Sequence, residues 1–157
     1  MKKLAKVLLA LMLALTCLLT LAACGEKETP ETTKTTAADG SVEKTGVWAT
    51  ATYLEDTTIG DGAKTLIVEV AAEGQTVTFT VKTDEKTVGA ALLKEQLITG
   101  DQGDYGLYIK SVNGMIADYD VDQTYWAFYE NGAYAMAGVD TTDIKEGTTY
   151  RLERTKG

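Results

Sequence analysis

The residues with the most to offer chemically lie between Asp118 and Asp140. Tyr125, Trp126, Phe128 and Tyr129 crowd one strand-like run, Asn131-Gly132 turns it, and Tyr134 and Met136 stand on the return. Flat rings with polar tips suit half-wet surfaces, where they stack on apolar ligands or on a partner protein. On a strand, Trp126 and Phe128 would share one face, and Tyr125 and Tyr129 the other. We take Tyr125, Trp126, Phe128, Tyr129 and Tyr134 as the candidate ligand-binding residues, with Met136 and Tyr119 or Tyr108 able to extend the patch. Just upstream, Asp118, Asp120 and Asp122 place carboxylates at alternate positions, as a calcium loop begins. That pattern then breaks, because the sixth position is Gln123 rather than glycine and the twelfth is Tyr129 rather than glutamate. An acidic surface turn fits these residues better, and no metal site is expected.

What the sequence lacks limits the chemistry further. Histidine is absent from all 157 residues, which removes the usual imidazole base and the commonest metal ligand. The only serines are Ser41 and Ser111, so a Ser-His-Asp triad is excluded. Carboxylate pairs for glycoside hydrolysis need a defined separation and one raised pKa. Nothing in the scatter of 23 acidic residues implies such a pair. We therefore expect a protein that binds rather than catalyses, with no cofactor of its own. The formal net charge of −8 repels phosphates and excludes nucleic acid as a partner.

The N-terminus reads as an address. Lys2, Lys3 and Lys6 precede an apolar run rich in Leu and Ala, and Leu21-Ala22-Ala23-Cys24 closes it. The run is short for a membrane span and ends like a cleavage site. Leu-Ala-Ala-Cys resembles a bacterial lipobox, which implies a signal peptide over 1–23 and lipid attachment at Cys24. Acyl chains there would hold the protein at the membrane, outside the cytoplasm. Residues 24–46 are acidic and Thr-rich with a single proline, Pro30, and read as a disordered tether. About 20 such residues reach roughly 25 Å root-mean-square. Residues 47–157 are left as the folded domain.

Within it, Trp48 to Tyr53 suggests a short edge strand and Asp56 to Gly62 a turn. Residues 65–70 and 76–82 alternate apolar and polar positions about a Glu73-Gly74-Gln75 turn, the pattern of an antiparallel hairpin with one wet face. Thr83 or Asp84 is placed to cap a helix running to about Leu97. A loop over 100–106, a strand over 107–112 ended by Asn113-Gly114, the aromatic hairpin and a last strand over 149–153 complete the order. The expected class is α+β, β-grasp-like, a mixed sheet with one helix packed on one face.

The runs Tyr105 to Gly114, Tyr125 to Gly132 and Gly138-Val139-Asp140, with Ile144-Lys145-Glu146-Gly147 before a strand, resemble the DUF4430 family, also called the transcobalamin-like C-terminal domain. The resemblance covers roughly residues 64 to 154. It implies a β-grasp-like domain that binds a soluble small molecule, with Tyr125 and Trp126 matching a stretch near the ligand in the cobalamin carriers of animals. Those carriers also have a helical barrel, for which this chain has no room. The resemblance thus points to a cobalamin-like or other cofactor as ligand and a membrane importer as recipient. The alternative is a module that binds a surface protein or polymer by the same rings or by strand addition.

Overall fold

The computed structural model describes residues 41–157, all within one unit spanning Thr32–Gly157. The expected signal peptide, Cys24 and most of the tether lie outside the described residues. The fold starts earlier than the boundary expected at 47. Val42 is buried and donates its N–H to Leu54 O at 2.7 Å, and Glu43 N donates to the Gln75 side chain.

Among the described residues, nine strands and two short helices follow a 3-10 helix at Gly46–Thr50. They are β1 (Thr57–Gly60), β2 (Lys64–Ala72), β3 (Gln75–Thr83), α1 (Val88–Lys94), β4 (Ile98–Gly103) and β5 (Gly106–Val112). After them come β6 (Met115–Ile116), α2 (Tyr119–Asp122), β7 (Thr124–Glu130), β8 (Ala133–Tyr134) and β9 (Thr149–Lys156). Six strands form a mixed sheet in the order β1-β3-β2-β9-β7-β8, and β4-β5-β6 form a second, smaller sheet. The class is α+β, but a second sheet joins the single one expected.

The core follows from the period-2 pattern. Leu66, Val68 and Val70 on β2 pair across the sheet with Val81, Phe79 and Val77 on β3. The same face continues through Tyr150 and Leu152 on β9 to Phe128 and Trp126 on β7. All ten are buried. Val88, Ala91 and Leu92 of α1 and Ile98, Val112 and Met115 of the small sheet complete the same core. The opposite face carries threonines, Ile67 and an Arg151 guanidinium held between Glu69 and Glu153.

Four local expectations are corrected. Trp48 is not on an edge strand; it lies in the 3-10 helix, fully buried, with Nε1 donating to Ala72 O at 2.9 Å. The Asp56 to Gly62 turn contains β1, which pairs in parallel with β3. The helix cap is Thr87, whose hydroxyl accepts from Ala90 N, and α1 stops at Lys94. Thr83 and Asp84 serve other donors: Glu85 N meets the Thr83 hydroxyl and Ala63 N the Asp84 carboxylate. Finally, the 100–106 loop is mostly β4. Its glycines and polar residues hide a strand whose pairing is carried by the backbone. A side chain at Gly100 would run into Tyr108 O, 2.2 Å from the Cβ position.

Candidate functional site

A pocket of about 340 Å³ opens where β7, at the side of the large sheet, approaches β5 of the small one. Leu107, Tyr108 and Ile109 form one wall, Tyr125, Trp126 and Phe128 another, and the segment from Tyr134 to Val139 the rim. Alternation along β7 turns Trp126 and Phe128 inward, where Phe128 stacks on Tyr150 with centroids 6.0 Å apart. Trp126 is 7 % exposed, and its Nε1 is buried without a hydrogen-bond partner. A buried donor left unpaired costs about 1–3 kcal/mol, so this indole stands out in the wall of a cavity.

The rim is held by Asp140. Its Oδ2 accepts from Leu107 N at 3.3 Å, tying the return segment to β5. Its carboxylate also fills the space beside Gly106 and Gly138, where a Cβ would come within 3.0 and 2.7 Å of it. The Asp140 backbone rests on Gly89 of α1, and Gly89 N donates to Val139 O at 2.7 Å. Gly89 thus allows a close approach of α1 to this rim. The second carboxylate oxygen of Asp140, Oδ1, is also buried without a partner.

The five candidate rings do not form one surface. Tyr125, Trp126, Phe128 and Tyr134 border the pocket, whereas Tyr129 does not. Tyr129 projects from the opposite face of the sheet, edge-on to Tyr134 at 5.4 Å and 77°. Burial and the nearby Glu153 carboxylate push the Tyr129 phenol above its ordinary pKa. Tyr108 and the fully exposed Met136 do extend the pocket. Tyr119 lies instead beside a separate hollow with Lys110, Ile116 and Asp118. Leu107, Ile109, Val139 and Asp140 were not foreseen as site residues, although all four lie in the runs that carry the family resemblance.

The acidic turn is engaged structurally. Asp118 caps α2 by accepting from Asp120 N, and Asp122 binds Thr124 and Arg154. The Thr124 hydroxyl, ahead of Arg154, holds the Asp122 carboxyl below its usual range. Among the described residues no group of three or more His, Cys, Asp or Glu converges as a metal-holding cluster.

Fold and site together define an α+β domain with an aromatic pocket between two sheets. Residues 85–153 match the family described as a domain of unknown function, DUF4430. The chain carries a DUF4430 domain. It is also similar to a candidate metal-binding protein from Ruminococcus gnavus ATCC 29149, known from a crystal structure at 1.30 Å resolution. The two are 30 % identical with a TM-score of 0.57, over 60 % of this chain and 99 % of that one. A weaker likeness, TM-score 0.43 and 20 % identity, is to haptocorrin in complex with Cbi; it covers 59 % of this chain and 25 % of haptocorrin. No curated protein matches the sequence.

Proposed function

We propose that this chain is a non-catalytic, lipid-anchored binding protein that captures a small soluble ligand outside the cytoplasm. The observation that carries the reading is the pocket between β5 and β7, walled by rings and containing the unpartnered Trp126 Nε1. Its volume, about 340 Å³, falls at the lower end of the range typical for small-molecule sites. Half-open, it suits part of a larger flat molecule, and a cobalamin-like cofactor is the finer form of the proposal. The scaffold is read as a β-grasp variant, Cys24 as the lipid-bearing residue and a membrane importer as the recipient.

A second reading, a surface interaction module, draws on one specific feature. Tyr105, Tyr108, Ile116, Tyr119 and Val121 are all exposed on or near the small sheet, more apolar surface than a ligand pocket needs.

Tryptophan fluorescence separates the two. Trp48 is sealed in the core and Trp126 lines the pocket, so a ligand should change the emission of the full chain but not that of Trp126→Phe. Titration with cobalamin, cobinamide and a small vitamin panel tests this. No change in either protein at high micromolar ligand would move the assignment to the interaction module. Cys24→Ser tests the anchor: it should release the protein or leave it unprocessed, and a processed, membrane-bound variant would overturn the lipid attachment.

A further inference from the structure

The hollow beside Tyr119, about 300 Å³, shares only Tyr108 with the aromatic pocket. Its frame is the turn that leads from β6 into α2. Ala117 N donates to Lys110 O at 3.0 Å, holding the chain against β5. Asp118 Oδ1 then accepts from Asp120 N at 3.0 Å and opens α2. Arg154 braces both sides: Nε donates to Ile116 O at 2.9 Å, and Nη2 pairs with the Asp122 carboxylate. Ala117 is buried, and its small side chain leaves the space unfilled. The hollow is thus framed by main chain and by a guanidinium outside it, not by its own charged side chains.

Its lining is of two kinds. Tyr108 and Tyr119 are about half exposed and Ile116 more so, which puts apolar surface at a wet boundary. Beside them stand one ammonium and two carboxylates, from Lys110, Asp118 and Asp120. Lys110 pairs at 2.5 Å with Asp101, which is not part of the lining. Among the described residues, neither tyrosine hydroxyl nor the Asp120 carboxylate makes a hydrogen bond. These groups have donors and acceptors to spare for a ligand.

The mixture decides the class of ligand. A phosphate or sulfate would face two carboxylates, on a chain of formal net charge −8. A metal ion would face the Lys110 ammonium, and no three acidic groups converge among the described residues. A peptide strand has little edge to join, because β6 is two residues long and Ile116 O is already taken by Arg154. What fits is a neutral molecule with an apolar face and hydroxyl groups round it. Carboxylates accept from hydroxyls, an ammonium donates to them, and phenols do either. We infer that this hollow binds one ring of a neutral saccharide, its C–H face against Tyr108 and Tyr119 and its hydroxyls on Lys110, Asp118 and Asp120. This second site is independent of the ligand proposed for the aromatic pocket and stands or falls on its own.

The experiment is an isotope-labelled NMR titration of the full chain with the methyl glycosides of glucose, galactose, mannose and N-acetylglucosamine. At least one should move the amides of Ala117 and Asp120 and the rings of Tyr108 and Tyr119, with Trp126 unmoved. Tyr119→Ala should weaken that binding about fivefold through lost stacking, and Asp120→Ala about tenfold through a lost charge-assisted hydrogen bond. Both side chains are exposed, so unchanged amide shifts on β2 and β3 should show that the variants fold. Cellotriose and chitotriose separate the sources: tighter binding than the single ring marks a polysaccharide, and equal binding a free sugar. No shift at Ala117, Tyr119 and Asp120 with any of these sugars would overturn the site, whatever the aromatic pocket binds. Shifts confined to Trp126 and Met136 would do the same while placing the sugar in that pocket. Shifts at Tyr119 with tetramethylammonium but with no sugar would make the hollow a cation site and sink the saccharide assignment.

Discussion

The Asn113 side chain straddles the backbone of Tyr53, donating to its carbonyl at 2.8 Å and accepting from its N–H at 2.9 Å. Asn113 also uses its own main chain: N–H donates to Leu97 O at 2.7 Å, and the carbonyl accepts from Thr52 N at 2.9 Å. One residue at the tip of the β5–β6 hairpin thus joins the N-terminal segment, the end of the α1 region and the small sheet. Its φ of +52° is a conformation asparagine tolerates better than most residues.

Asn113→Asp keeps the shape and the acceptor but turns a second oxygen toward the Tyr53 carbonyl. Asn113 is buried, 1 % exposed, so water cannot substitute. We expect a loss of about 2–4 kcal/mol in urea denaturation, and a similar loss for Asn113→Ala. A change below about 0.5 kcal/mol in both would mean the amide does not hold the N-terminal segment.

Gly89→Ala should destabilise although alanine is the better helix former by about 1 kcal/mol. The new Cβ would lie 2.9 Å from the backbone N and Cα of Asp140, atoms that cannot swing aside. The rim must shift or α1 must tilt, at about 1–3 kcal/mol. Thermal denaturation checks the sign, and a gain in stability would show that the rim gives way freely.

The inward face of β2 and β3 was legible because alternation survives wherever one face of a strand is buried, as at Val77, Phe79 and Val81. The Glu73-Gly74, Asn113-Gly114 and Asn131-Gly132 turns were legible for a local reason, since each pair takes positive φ. The small sheet was not. β4 reads Ile-Thr-Gly-Asp-Gln-Gly, and its strand character comes from pairing with β5 rather than from its side chains. The helix start was misplaced for a similar reason: Thr83, Asp84 and Thr87 are all plausible caps, and packing selects among them. At the site, the sequence supplied the rings and their two faces on β7 but not which face is buried, nor that β8 would set Tyr134 beside Tyr129 once the hairpin has closed.

Asp122 gives the fold a pH-dependent contact. Its folded pKa is lowered from 3.8, first by the Thr124 hydroxyl and also by Arg154. A depressed carboxylate contributes stability above its unfolded pKa and loses it as pH falls through the folded value. Arg154 spreads the effect, since its Nε also donates to Ile116 O at 2.9 Å and links β9 to the small sheet. Asp122→Asn should therefore melt below the parent protein at about pH 7, with the gap narrowing as the pH falls below 3.8 and through the lowered folded value. A gap that stays constant across that range would remove the charge of Asp122 from the account.

Trp126→Ala is a poor test of the pocket, because emptying a site that is 7 % exposed costs about 3–5 kcal/mol by itself. Trp126→Phe is the informative change. It removes the indole N–H, which has no acceptor, and so relieves a penalty of about 1–3 kcal/mol. It also removes ring volume beside Phe128, a loss of about 1–2 kcal/mol in packing. The two nearly offset, and denaturation of the free protein should place the variant within about 1 kcal/mol of the parent. If the variant instead falls by more than about 3 kcal/mol, Nε1 has a partner in solution, and the wall of the pocket is satisfied without a ligand.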